Sequence, residues 1–226
     1  MNRRGLAELL AIVAPPACVA CREPLERADG LLCAGCLRGL PWLRGWRCAR
    51  CGLPRLRHGA CPAARAAFGR SWAPMAYEGP ARAVVQALKF RGALPLAKLM
   101  AAQIGATMPP ELCARALVPV PPQPARRRAR GFDPAGALAA ALAERLDVPL
   151  APALIRRDRA KRQTRAGRGA RRRPGRIVVE ARAEPPPSVV LVDDVHTTGA
   201  TLDACARALR AAGAREVVAV TYARTL

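Results

Sequence analysis

Beyond about residue 65 the apolar positions fall into short unbroken runs that alternate with helical stripes, whereas before it they follow no period. A candidate strand near residues 72–77 leads into GPARAVVQALKF, where Pro80 stands at a helix start and Val84, Val85 and Leu88 line one face. A further helix is predicted over residues 94–107. ALVPVP at 116–121 reads as a buried strand closed by proline. DPAGALAAALAERL opens with Asp133 as N-cap and proline at the first helical position. RIVVEA and SVVLVD read as two strands, a helix is predicted over about residues 198–212, and EVVAVTYA supplies a final strand. Strands alternating with helices predict a parallel sheet covered on both faces, an α/β domain over residues 66–226. Residues 156–176, RRDRAKRQTRAGRGARRRPGR, have no apolar face and are expected to form a mobile loop.

Composition sharpens this picture. Of the 226 residues 51% are hydrophobic and only 4% aromatic, so the core must be built from Ala, Val and Leu. No stretch reaches the roughly 20 uninterrupted apolar residues that a membrane-spanning helix requires. Lys and Arg number 38 against 16 acidic residues, a net charge of +22, which predicts attraction to polyanions. Nearly all of the excess is Arg, beside abundant Ala, Pro and Gly. The charge therefore reads either as a binding surface or as a compositional bias of the coding sequence.

Seven of the nine cysteines lie between Cys18 and Cys61. Paired CxxC units read as metal ligands in a reducing, cytoplasmic setting rather than as a disulfide framework. Cys18, Cys21, Cys33 and Cys36 match a tetrahedral structural zinc site. Cys48, Cys51 and Cys61 start a second site; His58 completes it, or the site has decayed. So small a segment, residues 1–65, buries too little to fold alone, so bound zinc is expected to supply much of its folding free energy. Cys113 and Cys205 read as core residues. Arg3 and Arg4 precede a short apolar stretch as in an export signal, but Glu8 and Pro15-Pro16 interrupt it. An amphipathic helix with Leu6, Leu9, Leu10 and Val13 on one face is the favoured reading.

The chemistry concentrates in VVLVDDVHTTGATL, residues 189–202. Ligands of an open parallel sheet bind outside the carboxyl ends of its strands, and here a strand ends in two carboxylates and a Thr/Gly turn. Thr197, Thr198, Gly199, Ala200 and Thr201 open a helix whose first N–H groups lack intrahelical partners and suit a phosphate. Asp193 and Asp194 need hydroxyl donors or a cation. A ligand satisfying both halves carries a phosphate a few ångström from a diol, as a ribose 5-phosphate does. Neither GxxxxGK[ST] nor a GxGxxG after a strand is present. His196, inside the motif, reads as a bystander rather than a catalytic base.

VLVDDVHTTGATL resembles the phosphoribosyl-pyrophosphate (PRPP) motif of type I phosphoribosyltransferases. The resemblance implies that Asp193 and Asp194 hold the ribose 2- and 3-hydroxyls while residues 197–201 hold the 5-phosphate, with Mg2+ bridging ribose and pyrophosphate. Together with the CxxC units, YEGPARAVVQALKFRG and LVPVPPQPARRRARGFDPAGALA, the chain resembles the ComF family of competence-associated proteins, which join a zinc ribbon to a phosphoribosyltransferase-like domain. It departs from that family at Asp133-Pro134, where Asn-Gln is common after RGF, which weakens the substrate contacts implied around Asp133, and its arginine-rich segment retains Gln163 but matches raggedly elsewhere.

By analogy with that fold, Arg126, Arg127, Arg128 and Arg130 lie in a loop that faces pyrophosphate, with Lys89 as a further contact, and residues 156–176 form a loop that closes over the site. The resemblance implies transfer of phosphoribosyl from PRPP to an acceptor, in DNA uptake or nucleotide metabolism. The alternative is an accessory protein that binds single-stranded DNA and uses the fold as a ligand-gated scaffold, with DNA-uptake proteins as partners. Only eight Trp, Tyr and Phe exist, so such binding is expected to be electrostatic and steeply salt-dependent. A homo-oligomer is compatible with the fold.

Overall fold

The computed structural model describes residues 16–27, 29–54, 60–112, 116–157 and 177–226. The expectations for the first fifteen residues, for His58, for Cys113 and for residues 158–176, Gln163 included, lie outside the described residues.

Five parallel strands build the central sheet: β1 (Arg70–Trp72), β2 (Met75–Ala76), β3 (Ala116–Pro119), β6 (Ser188–His196) and β7 (Glu216–Arg224). Their order is β1-β7-β6-β3, and β2 pairs with β7 beyond a break at Ala73-Pro74. Proline lacks the N–H that a ladder needs, so the single strand expected at 72–77 is split in two. In the register Leu117 lies beside Val190 and Val190 beside Val218.

The period of two along these strands divides the core. Leu117, Val190, Val192, Val218 and Val220 point to one face, where they meet α2 (Gly79–Arg91), α3 (Pro95–Thr107) and α5 (Pro134–Leu146) through Val84, Leu88, Met100, Ile104, Leu138 and Leu142. Val118, Val189, Leu191, Val217 and Ala219 point to the other, under Leu202, Cys205 and Leu209 of α6 (Ala200–Ala211). Cys205 is thus a core residue. Each fully buried Val or Leu of this kind contributes about 1.5–3 kcal/mol of transfer free energy. The sheet is covered on both faces, so its strands read as continuous apolar runs.

Two sequence expectations are corrected here. Arg156 and Arg157 do not belong to a loop: they end β4 (Leu154–Arg157), which pairs antiparallel with β5 (Val178–Ala181) in a ribbon separate from the central sheet. Arg126, Arg127, Arg128 and Arg130 do not lie in a loop either. Pro124 at a helix start, a run of good helix formers and Gly131 in the left-handed region (φ +76°) make this stretch a short helix, α4 (Pro124–Arg130).

The cysteine-rich segment forms two knuckles with one backbone pattern. The N–H of Cys18 donates to Glu23 O (2.8 Å) and that of Arg22 to Cys18 O (3.0 Å); the N–H of Cys48 donates to Leu53 O (2.9 Å) and that of Gly52 to Cys48 O (2.7 Å). The repeat therefore extends from CxxC to CxxCxxP. Arg22 and Gly52 occupy the same left-handed position, at φ +72° in each. A short helix, α1 (Ala34–Arg38), follows Cys33. Leu32 and Leu40 join the core that contains α2, and Cys51 joins the one containing Phe68, so the segment shares its apolar interior with the sheet domain.

Candidate functional site

The carboxyl end of β6 opens into a cleft of about 250 Å3 between β3, α4 and the start of α6. Because β6 remains extended through His196, its two adjacent aspartates alternate across the sheet. Asp194 follows Val190 and Val192 toward α2, where Lys89 Nζ meets its Oδ1 at 2.7 Å; Asp194 is 6% exposed. Asp193 follows Leu191, and its Oδ1 accepts the N–H of Asp194 at 2.8 Å. Burial and the neighbouring Asp194 raise the Asp193 carboxyl to about 8, with the Asp194 N–H and Lys89 opposing. Asp193 thus holds its proton more tightly than a free carboxyl does.

Of the residues singled out in the sequence, Asp193, Asp194, Lys89, Thr197, Thr201, Arg126 and Arg130 line this one cleft. Arg126 and Arg130 are four residues apart on α4 and share a face. Arg127 and Arg128 lie on the same helix but do not line the cleft, although Arg127 stays close enough to Asp133 to oppose the rise in its pKa. Thr198, Gly199 and Ala200 do not line the cleft; they connect Thr197 to Thr201, with Thr198 Oγ1 accepting the Ala200 N–H at 3.4 Å.

Sequence reasoning underrated two lining residues. Asp133, a departure from the family pattern, is the N-cap of α5, and its Oδ1 is buried without a hydrogen-bond partner. Burial raises its pKa. Arg156 reaches the cleft from β4, which its arginine-rich context concealed. Three carboxylates, Asp133, Asp193 and Asp194, and four cations, Lys89, Arg126, Arg130 and Arg156, thus line one cleft.

Gly199 starts the turn at φ +79°, and a Cβ there would lie 2.7 Å from His196 Nε2. His196 is 3% exposed; burial and Arg224 lower its pKa to about 4, so its ring stays neutral. Beside the cleft, Lys89, Phe90, Arg91, Arg126, Arg130 and Phe132 line a wider groove of about 730 Å3, with the Arg130 guanidinium 5.0 Å from the Phe90 ring centre.

In the cysteine segment the Sγ atoms of Cys18, Cys21, Cys33 and Cys36 lie within 4.8 Å of one another, as do those of Cys48, Cys51 and Cys61. Tetrahedral zinc–thiolate bonds of about 2.3 Å place sulfurs about 3.8 Å apart. Cys21 and Cys33 stand at 3.6 Å, Cys48 and Cys61 at 3.8 Å. Both clusters fit zinc, the second through three thiolates. Arg224 is buried with Nε and Nη1 unpartnered; burial lowers its pKa, with those three cysteines opposing.

Comparison with known proteins agrees with this division of labour. Residues 9–65 match the double zinc ribbon domain and residues 129–225 match the phosphoribosyl transferase domain. The chain thus combines a phosphoribosyltransferase domain with structural zinc ribbons. Within that class it is 27% identical to Competence protein F of Haemophilus influenzae over 88% of this chain and 93% of that protein, a likeness that with the two domains supports a ComF-like family. No helix among the described residues is long and apolar enough to cross a membrane.

Proposed function

We propose that this protein binds PRPP with Mg2+ in the β6 cleft and transfers the phosphoribosyl group to an acceptor. The observation that carries the reading is the convergence of two strand-end carboxylates, a helix-opening Thr/Gly turn and Arg126, Arg130 and Lys89 on one cavity. Asp193 and Asp194 accept hydrogen bonds from the ribose 2- and 3-hydroxyls. Thr197, Thr201 and the first N–H groups of α6 hold the 5-phosphate. Arg126 and Arg130 face the pyrophosphate, which leaves the anomeric carbon with its bonding electron pair as the acceptor attacks. Magnesium supplies charge neutralisation between pyrophosphate and ribose. The groove at Phe90 gives the acceptor a path beside the ribose. We place the boundary between the two units at residues 65/66. Calorimetric titration of PRPP with Mg2+ into zinc-loaded protein is expected to show saturable binding at about one ligand per chain; no heat of binding at millimolar PRPP overturns the reading.

One observation favours the alternative role in handling single-stranded DNA. All three tryptophans gather on one side of the second knuckle, where Trp42 and Trp72 with Arg44 and Arg47 line one hollow and Trp46 and Trp72 with Arg47 and Arg70 line the next. Aromatic and guanidinium planes side by side are what stacked bases require. If this role holds, oligothymidylate quenches the tryptophan fluorescence at about 0.15 M salt, and Trp46→Ala weakens the binding. Binding that disappears at that salt, or that leaves the fluorescence unchanged, reduces it to nonspecific attraction to phosphates.

A further inference from the structure

We propose that Ser71 and His196 are positioning residues that transmit the placement of the second cysteine knuckle to the turn at Gly199, and so set the affinity for the 5-phosphate. The inference deepens the PRPP reading and rests on it for its consequence, though not for its geometry.

Four contacts make an unbroken path. The N–H of Ser71 donates to Ala49 O at 3.0 Å, and Ala49 lies between Cys48 and Cys51. Gly52, directly after Cys51, lies so close to β1 that a Cβ there would be 3.0 Å from Ser71 O. The Ser71 hydroxyl meets His196 Nδ1 at 2.8 Å. The opposite ring nitrogen, Nε2, abuts the backbone of Gly199, which begins α6.

The path is stiff because it is buried. Ser71 is 5% and His196 3% exposed, and a hydroxyl–imidazole pair taken out of water is held by the cost of separating it. Phe68 packs edge-on against the imidazole at 5.9 Å between ring centres, and His196 O accepts the Thr225 N–H at 3.1 Å. The ring therefore cannot swing aside when Ser71 shifts. Gly199 is excluded from any larger residue by both its positive φ and the imidazole. A shift of the Cys48–Cys51 knuckle moves Ser71 and thence the turn; His196 does this without touching the ligand.

The test compares wild type, Ser71→Ala, Cys61→Ser and the double variant, reading the Gly199 amide resonance without ligand and PRPP affinity by calorimetry. Each single change is expected to move the Gly199 resonance and to lower affinity about tenfold, and the double variant no further, since both cut one path. Losses that add, or a Gly199 resonance that Cys61→Ser leaves in place, overturn the proposal. Should Cys61→Ser fail to fold, Ser71→Ala must still move that resonance and the His196 ring-nitrogen shifts, and Ser71→Thr, which keeps the hydroxyl, must not. Failure of the wild type to bind PRPP would sink the reading of the cleft, while the ligand-free resonances would still decide the coupling.

Discussion

Replacing Asp193 and Asp194 together by asparagine is expected to abolish PRPP binding at accessible concentrations, whereas Asp193→Asn alone, which spares the Asp194–Lys89 pair, is expected to make the ligand-free protein more stable at pH 8. Hydrogen bonds to charged groups are worth about 1.5–3 kcal/mol each, so two lost ribose contacts lower affinity by roughly a hundredfold to ten-thousandfold. The stability change runs the other way. In the unfolded chain Asp193 titrates near 3.8, and in the folded protein burial and Asp194 raise it to about 8. The folded state therefore holds this proton more tightly. Its stabilising contribution is complete below about pH 4 and is lost as pH rises through 8. The melting temperature of the wild type is therefore expected to fall, relative to the Asp193→Asn variant, as pH rises from 5 to 8. Thermal unfolding of the wild type and Asp193→Asn at pH 5 and pH 8 checks it. A wild type whose melting temperature relative to the variant does not fall between those values contradicts the raised Asp193. Unchanged PRPP affinity in the double variant contradicts the assignment of the cleft.

That tension between ligand grip and stability explains why the motif was legible in the sequence. Two adjacent acids after VVLV are costly to bury, so a purely structural strand would not place them there, and the Thr/Gly turn behind them supplied the second half of a ligand. The elements were legible for a similar reason: β3, β6 and β7 are buried on both faces and read as apolar runs, while Pro80 and Pro134 mark helix starts. What failed was what depends on contacts distant in sequence. Arg126 to Arg130 read as a charged loop because no apolar face announced a helix, yet the helical spacing brings only Arg126 and Arg130 to the cleft. Arg156 pairs across a ribbon with Val179, twenty-three residues on, a partner invisible to local periodicity. Asp133 looked like a weakened contact because it departs from a family pattern, whereas its buried, unpartnered oxygen marks it as part of the cleft. The contact between Ser71 and His196 joins residues 125 apart and had no local signature.

Zinc removal is expected to produce the largest effect of all, because the cysteine knuckles are built into the main core and not appended to it. Cys18, Leu32 and Leu40 pack in the cluster that contains α2, whose Lys89 pairs with Asp194, and Cys51 packs with Phe68 against the opposite face of the sheet. Structural zinc in small ribbons contributes about 10–16 kcal/mol of apparent binding free energy, as large as the whole stability of a typical domain at about 5–15 kcal/mol. The segment's own buried apolar side chains cannot replace that. Chelation should therefore release two zinc ions per chain and unfold the cysteine-rich segment around the ligands of both clusters. Exposing the faces of Leu32 and Leu40 should then lower the melting temperature of the remaining sheet domain by about 10 °C or more, given about 2–4 °C per kcal/mol. Metal analysis with thermal unfolding before and after chelation measures both. Release of a single ion would show that Cys48, Cys51 and Cys61 hold no metal, and an unfolding curve indifferent to chelation would show that the ribbons are not part of the structural core.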